Sequence, residues 1–320
     1  MRAPDPEGKD IKVSVCLTTF NHERFVRQAI ESVLMQETDF HYELVIGEDC
    51  STDGTRAIVR DYAACYPKII RPLLPERNQG MISNFVAVLK ACRGQYVALL
   101  EGDDYWTNTS KLQKQVHLLE TTAHAFCYHH ALYQYDDGSE APQLPGIALR
   151  KATAGVEDLL FPVTVPTCSV VFRRSALPAL PGWYFELPFG DWSLWILLAS
   201  NGTVAYLPED MAVYRVHSSG VSSSWDAAER LHGLVHMFNH VNRYLDYRYD
   251  AVIRRRLSLY LLQLAVLYTD RGDRARAKHY LKQALRGRPL NSEVRLVDLL
   301  VTIIRLYTPP IYKLGKAVFG

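Results

Sequence analysis

No two of the six cysteines, at positions 16, 50, 65, 92, 127 and 168, stand at C-x-x-C spacing, and none lies beyond residue 168. This argues against a disulfide framework and favours a reduced compartment with packed thiols. Residues 1–10, MRAPDPEGKD, lack an apolar core, so neither a secretion signal nor an N-terminal anchor is expected. Long apolar runs are missing too. Residues 257–269 give only thirteen positions between Arg256 and Asp270, and the later apolar stretch 296–307 is broken by Asp298 and Arg305. The chain is therefore expected to be soluble or membrane-peripheral. No recognised nucleic-acid reader motif occurs, and the densest charge cluster is acidic, which opposes binding to a phosphate backbone.

What is present begins with size. At 320 residues, 48% hydrophobic and 22% charged, the chain can bury a substantial core as one large or two smaller domains. The formal charge of +2 hides an uneven distribution. Residues 242–290 hold twelve Lys or Arg against four Asp, a net of +8, which leaves about −6 for the remainder.

Apolar β-rich runs at 12–18, 42–47, 68–74 and 96–100 alternate with stretches that carry apolar residues at helical spacing. Asn21 is placed to cap the first of these helices. Four strand-to-helix transitions within 120 residues predict right-handed crossovers and a mostly parallel, Rossmann-like α/β sheet. Further strands are expected at 125–135, 168–173, 203–207 and 211–216, as mixed or antiparallel additions, with a helix starting at Asp191 on which Trp192, Trp195, Ile196 and Ala199 form an apolar stripe. From Trp225 onward only helices are expected, over 226–245, 251–268, 274–285 and 292–306. Residues 264–289 have the pattern of a single helical hairpin of tetratricopeptide type. The domain boundaries read from this are a flexible N-terminus at 1–10, an α/β domain at 11–222 and a helical region at 223–320.

The chemistry concentrates where strands end. The run 96–100 stops at Glu101, Gly102, Asp103 and Asp104, and the run 42–47 stops at Glu48 and Asp49. In parallel sheets, ligands bind beyond the carboxyl ends of the strands, so both acidic loops are expected in one crevice. Neighbouring carboxylates repel unless a cation lies among them, and a hard divalent ion shared with substrate phosphates would supply that charge. Asp49 can accept hydrogen bonds from a base or ribose, whereas Asp53 serves a turn as readily as a ligand. Asp191 suits either a helix N-cap or a general base. His217 and Arg215 can complete a metal shell or hold a diphosphate. His232, His236 and His240 share one helical face but lack a Cys or acidic partner in sequence, which favours a polar face over zinc.

Thr18, Thr19, Phe20 and Asn21, then Glu48, Asp49, Ser51, Thr52, Asp53, Gly54 and Thr55, then Asn78 and Gly80, then Asp103, Asp104 and Trp106 together resemble the family 2 glycosyltransferases. The resemblance extends through Phe189, Gly190, Asp191 and Trp192 and through Tyr214, Arg215, Val216 and His217, covering about 11–222. It implies a GT-A fold binding a UDP-, GDP- or dTDP-linked sugar. Thr18, Thr19, Asn21, Glu48, Asp49, Asn78 and Gly80 would lie about the donor, with Asp103, Asp104 and Arg215 at its phosphates. Asp103 and His217 would hold Mg²⁺ or Mn²⁺, and Asp191 would act as the base in an inverting transfer to a glycan or lipid-linked hydroxyl.

Glu101 stands where the family often begins its D-x-D signature with aspartate. Gly190 and Asp191 replace an often doubly acidic motif, and Cys50 replaces a common aspartate or glycine. Processive members carry membrane spans and Q-x-x-R-W, which this chain lacks, so single addition is expected. The resemblance implies surface-polysaccharide assembly in the cytoplasm, at the inner face of the membrane. Peripheral membrane contact and a homo-oligomer are both compatible with the late helices. A noncatalytic nucleotide-sugar-binding or scaffold protein and a sugar-phosphate nucleotidyltransferase are the alternatives.

Overall fold

The computed structural model describes residues 11–143, 153–161, 165–218, 220, 226–286 and 296–307. The expectations for residues 1–10 and for the start of the last helix at 292–295 fall outside these. The chain divides into two compact units, residues 1–223 and 224–320.

In the first unit the early β-runs form strands β1 (Ile11–Thr19), β2 (His41–Glu48), β3 (Ile70–Leu73) and β4 (Tyr96–Glu101). Helices α1 (Val26–Leu34), α2 (Thr55–Cys65) and α3 (Met81–Ala91) connect them. The short β5 (Tyr105–Trp106) leads into α4 (Lys111–Thr121), and β6 (His124–Tyr135), β7 (Glu140–Gln143) and β8 (Thr153–Ala154) follow. Then come α5 (Val156–Leu159), β9 (Val171–Arg173), α6 (Asp191–Ala199) and β10 (Thr203–Val216).

The strands make one ten-stranded sheet in the order β3-β2-β1-β4-β9-β6-β10-β5, with β7 beside β6 and β8 beside β10. The pairs β1–β2, β1–β4, β2–β3 and β6–β10 are parallel, and β9 runs antiparallel between β4 and β6. The expected mostly parallel sheet with antiparallel additions is therefore what forms. Val13, Val15 and Leu17 of β1 pack with Leu44 and Ile46 of β2 and with Ala29, Ile30 and Val33 of α1 in the main core. Leu112, Val116 and Leu119 of α4 are buried at the expected spacing.

Three local expectations are corrected. Asn21 does not cap α1, which starts at Val26 with Phe25 preceding it and no side-chain cap. Its side chain instead accepts a hydrogen bond from Thr52 N (2.9 Å), and its own N–H donates to Ser51 Oγ (2.9 Å). At φ 55° it turns the chain across the neighbouring loop rather than into a helix. Thr203–Val216 is one strand rather than two, because Pro208, which has no N–H to donate, is absorbed where the register with β6 shifts between Leu207 and Asp210. Finally, α6 has no single apolar stripe: Ser193–Ala199 are all buried, so the helix is enclosed on every side.

The second unit is helical, with α7 (Ala227–Tyr244), α8 (Asp250–Asp270), α9 (Arg274–Arg286) and α10 (Leu296–Tyr307). Asp226 caps α7 by accepting from Ala228 N at 3.1 Å. The α8–α9 hairpin turns at Gly272 (φ 77°), and Leu264, Ala265, Ala277 and Leu281 interlock between its arms. Among the described residues no helix is long and apolar enough to cross a membrane.

Candidate active site

The register of the parallel strands brings the acidic loops to one edge. Thr19 of β1 lies level with Glu48 of β2, and Thr18 with Glu101 of β4. The backbone continues this alignment, since Asp49 N donates to Thr19 O (3.0 Å) and Gly102 N donates to Thr18 O (2.8 Å). Both loops therefore hang from consecutive residues of the same central strand.

Asp49 is buried and binds the loop before α3. Its carboxylate oxygens accept from Gln79 N (2.8 Å) and Gly80 N (2.9 Å), and Asn78 Nδ2 donates to its carbonyl (2.9 Å). Gly80 takes φ 85°, which glycine adopts without strain. Each oxygen of Asp49 retains a further lone pair for a ligand donor. Glu48 is wholly buried. One oxygen accepts from Ser51 N (2.6 Å), the other pairs with Arg56, and Arg56 reaches on to Pro75 O (2.8 Å). Within the protein it braces the loop. Cys50 sits at φ 60°, the left-handed region where the family's usual aspartate or glycine is at ease.

At the end of β4, Glu101, Asp103 and Asp104 present carboxylate oxygens all within 4.8 Å of one another. Burial alone would raise Asp103, but the hydrogen bond between its Oδ2 and His217 Nε2 (3.1 Å) and the nearby His22 outweigh it and hold the carboxyl below its ordinary range. Glu101 is pushed up to about 8, first by burial and then by the charges of Asp103 and Asp191. Asp104 is raised by burial and by both neighbouring carboxylates. One of its oxygens accepts from Arg215 N (2.9 Å), while Oδ2 is buried without a hydrogen-bond partner among the described residues. A set of hard oxygens with one imidazole, including a buried oxygen left unsatisfied, fits a divalent cation of the Mg²⁺ or Mn²⁺ kind. The cluster's mutual repulsion is what such an ion would relieve.

His217 and Arg215 arrive through the tail of β10. Antiparallel pairing sets Ala212 opposite Trp106 and Val213 opposite Tyr105, so the next residues of β10 run back along Asp104 and Asp103. The Arg215 guanidinium lies over the rings of Tyr105 (4.5 Å) and Phe25 (5.0 Å), bonds Gln28 and donates to Asp103 O. His22 was not singled out by sequence. Its Nε2 stands 3.7 Å from Asp103 Oδ2, so Asp103 lies between two imidazoles, and burial lowers its basicity despite the neighbouring carboxylate. Its only sequence signal is its place directly after Asn21.

Asp191 is the first residue of α6 and makes no side-chain cap to the helix; its Oδ1 accepts from Trp192 N at 2.7 Å. Asp191 is exposed at the start of the helix, and the protein packed around its carboxyl raises it, opposed by the Trp192 N–H. Its charge contributes to raising Glu101, so the two carboxyls are within electrostatic reach of each other. Thr19 is buried, its hydroxyl without a hydrogen-bond partner among the described residues, and Thr18 is half-buried. Asn21 remains at the exposed rim, engaged with Thr52. By contrast, His129 is buried in β6, with Nδ1 at 2.6 Å from His130 O.

A largely parallel sheet whose strands β2 and β4 end in acidic loops at one edge, with antiparallel strands added beyond, is an α/β fold of GT-A type. Residues 14–177 match the family described as Glycosyl transferase family 2, and the chain belongs to that family. It is 40% identical over 224 residues to the uncharacterized protein Rv1520 of Mycobacterium tuberculosis, across 68% of this chain and 61% of that protein. The match thus spans under two thirds of that relative's length. The fold resembles S. aureus TarS 1–349, solved in complex with UDP-GlcNAc (TM-score 0.65, 15% identity, 95% of this chain and 90% of that one). It also resembles the mannosyltransferase PcManGT from Pyrobaculum calidifontis, solved with GDP-Man and Mn²⁺ (TM-score 0.57, 18% identity, 98% and 85%).

Proposed function

We propose that the chain is a metal-dependent, inverting glycosyltransferase that moves a sugar from a nucleotide-diphosphate donor to a hydroxyl of a glycan or lipid-linked acceptor. The proposal extends to bacterial surface-polysaccharide assembly at the cytoplasmic face of the membrane. Family membership and the fold shared with two sugar-nucleotide complexes support the donor class. The observation that carries the reading is the acidic cluster at the end of β4, braced by His217 and within electrostatic reach of Asp191.

In this reading Asp49, Asn78 and Gly80 shape the nucleoside pocket, with Thr18, Thr19 and Asn21 along its edge and Glu48 supporting its floor. Asp103 and His217 hold the cation, aided by Asp104 and Glu101. When bound, that ion neutralises negative charge gathering on the departing diphosphate. Arg215, stacked between two rings, adds a fixed positive charge at the same end. Asp191 accepts the proton of the acceptor hydroxyl as its oxygen attacks the anomeric carbon, and inversion follows from a single displacement on the face opposite the leaving group. A carboxyl lifted by its surroundings is a stronger base than an ordinary aspartate once ionised. Positioning of donor and acceptor contributes separately.

The test measures sugar transfer and donor hydrolysis across a panel of nucleotide sugars with Mg²⁺ or Mn²⁺. Asp191→Asn should lower turnover by about 10²-fold or more while donor binding persists. Asp103→Asn should weaken both metal affinity and turnover. Unchanged turnover in either variant overturns the corresponding assignment. Donor binding without turnover in the unmodified protein, over a broad acceptor panel, would favour a binding module. Pyrophosphate released from a nucleoside triphosphate and a sugar phosphate would favour a nucleotidyltransferase.

A further inference from the structure

The helical unit carries an apolar surface that its own core does not use. Along α10, Leu299, Thr302 and Leu306 face inward, whereas Leu296, Val297, Leu300, Val301 and Tyr307 are exposed, Val297 at 66% and Leu300 at 47%. At 100° per residue these five positions share one continuous face of the helix. One edge of that face opens into a groove of about 430 Å³ between α9 and α10, floored by Leu281, Leu285, Ile303 and Tyr307 and rimmed by Lys278 and Lys282. The Lys278 ammonium lies over the Tyr307 ring at 5.1 Å, so positive charge and apolar surface meet at that edge.

On α9 the charge is of one sign, whereas α10 carries Asp298 and Arg305. Helix α9 has Arg274, Arg276, Lys278, Lys282 and Arg286 and no Asp or Glu. An exposed apolar face bordered by lysines matches a bilayer interface, where apolar side chains enter the acyl boundary and ammonium groups meet anionic headgroups. A second copy of this surface would set one lysine rim against another, which like-charge repulsion opposes.

We infer that the α10 face and the α9 lysine rim form a docking surface for an anionic phospholipid bilayer. This surface does not depend on the reading of the acidic cleft. It would hold the enzyme at the membrane interface without a spanning segment. Each lysine near a charged surface adds about fivefold to partitioning, so the pair adds about thirtyfold at low salt.

The test uses the full chain with vesicles of phosphatidylcholine alone or mixed with phosphatidylglycerol, read by co-sedimentation. Binding should require phosphatidylglycerol and weaken as salt rises. Lys278→Ser with Lys282→Ser should lower partitioning by about thirtyfold, and Val297→Ser with Leu300→Ser by at least about tenfold. All four positions are on the surface of the helical unit, so circular dichroism of both variants should match the parent. Equal binding to neutral vesicles, no binding to either, or retained binding in the Val297/Leu300 variant overturns the proposal. A concentration-dependent dimer abolished by that same variant also overturns it, assigning the face to a second copy.

Discussion

Lys111 offers a sharp test of the energetics beneath the acidic cluster. It is completely buried at the start of α4, its ammonium 4.1 Å from the centre of the Trp106 ring and 2.7 Å from Gln115 Oε1. No carboxylate is among the groups that perturb it; burial drives its pKa from 10.5 down to about 7, opposed by the Cys168 and Cys127 thiols. That lowering corresponds to about 5 kcal/mol against the charged form, of which about 4 kcal/mol is felt at neutral pH, where the buried amine is half deprotonated. Lys111→Met keeps the length and apolar bulk but leaves Gln115 Oε1 without its donor, a loss of about 1–3 kcal/mol. The variant is therefore expected to be more stable by about 1–3 kcal/mol near pH 7. The sign with pH follows from proton counting. Between about 7 and 10.5 the unfolded chain holds a proton that the folded chain has shed, so stability of the parent rises with pH over that window. The methionine variant lacks that rise, and its advantage should shrink and reverse toward the top of the window. Urea unfolding followed by tryptophan fluorescence at several pH values measures both curves. A difference independent of pH, or a variant less stable at neutral pH, would refute the buried-amine account.

Two further outcomes follow from the site and its support. Glu101 retains its proton up to about pH 8, so a cation that uses this carboxylate must displace that proton; Mn²⁺ affinity, by calorimetry, should rise with pH and level off above about 8, and Glu101→Gln should flatten the rise. At Gly47 in β2 a Cβ would come within 2.3 Å of Val88 Cγ2 and 2.4 Å of Asn84 Oδ1, and Asn84 Nδ2 donates to Gly47 O (2.9 Å). Gly47→Ala should therefore destabilise the fold by about 1–3 kcal/mol, visible as a lower denaturation midpoint; an unchanged midpoint would mean that α3 shifts freely against β2.

Much of this architecture was legible locally. Alternating β-runs and helical spacing identified β1 to β4 and their helices, and the abrupt change from apolar to acidic at Glu101 and at Glu48 marked where side chains leave the sheet. Such features depend on a handful of adjacent residues, because backbone period and burial determine which face a side chain takes. The same local signals misjudged Asn21, since the loop at Ser51 and Thr52 competes for its hydrogen bonds, and they divided β10 at Pro208, where a register shift keeps the strand continuous. Sequence order alone placed the acidic ends at one sheet edge and the late chain in helices. Only tertiary structure brought His22 and His217 to the same oxygen of Asp103, put Asp191 within electrostatic reach of Glu101, and buried Lys111 on Trp106. Those meetings require β9 to insert between β4 and β6 and β10 to fold back on β5, pairings between residues 44 to 108 positions apart that no local period can encode.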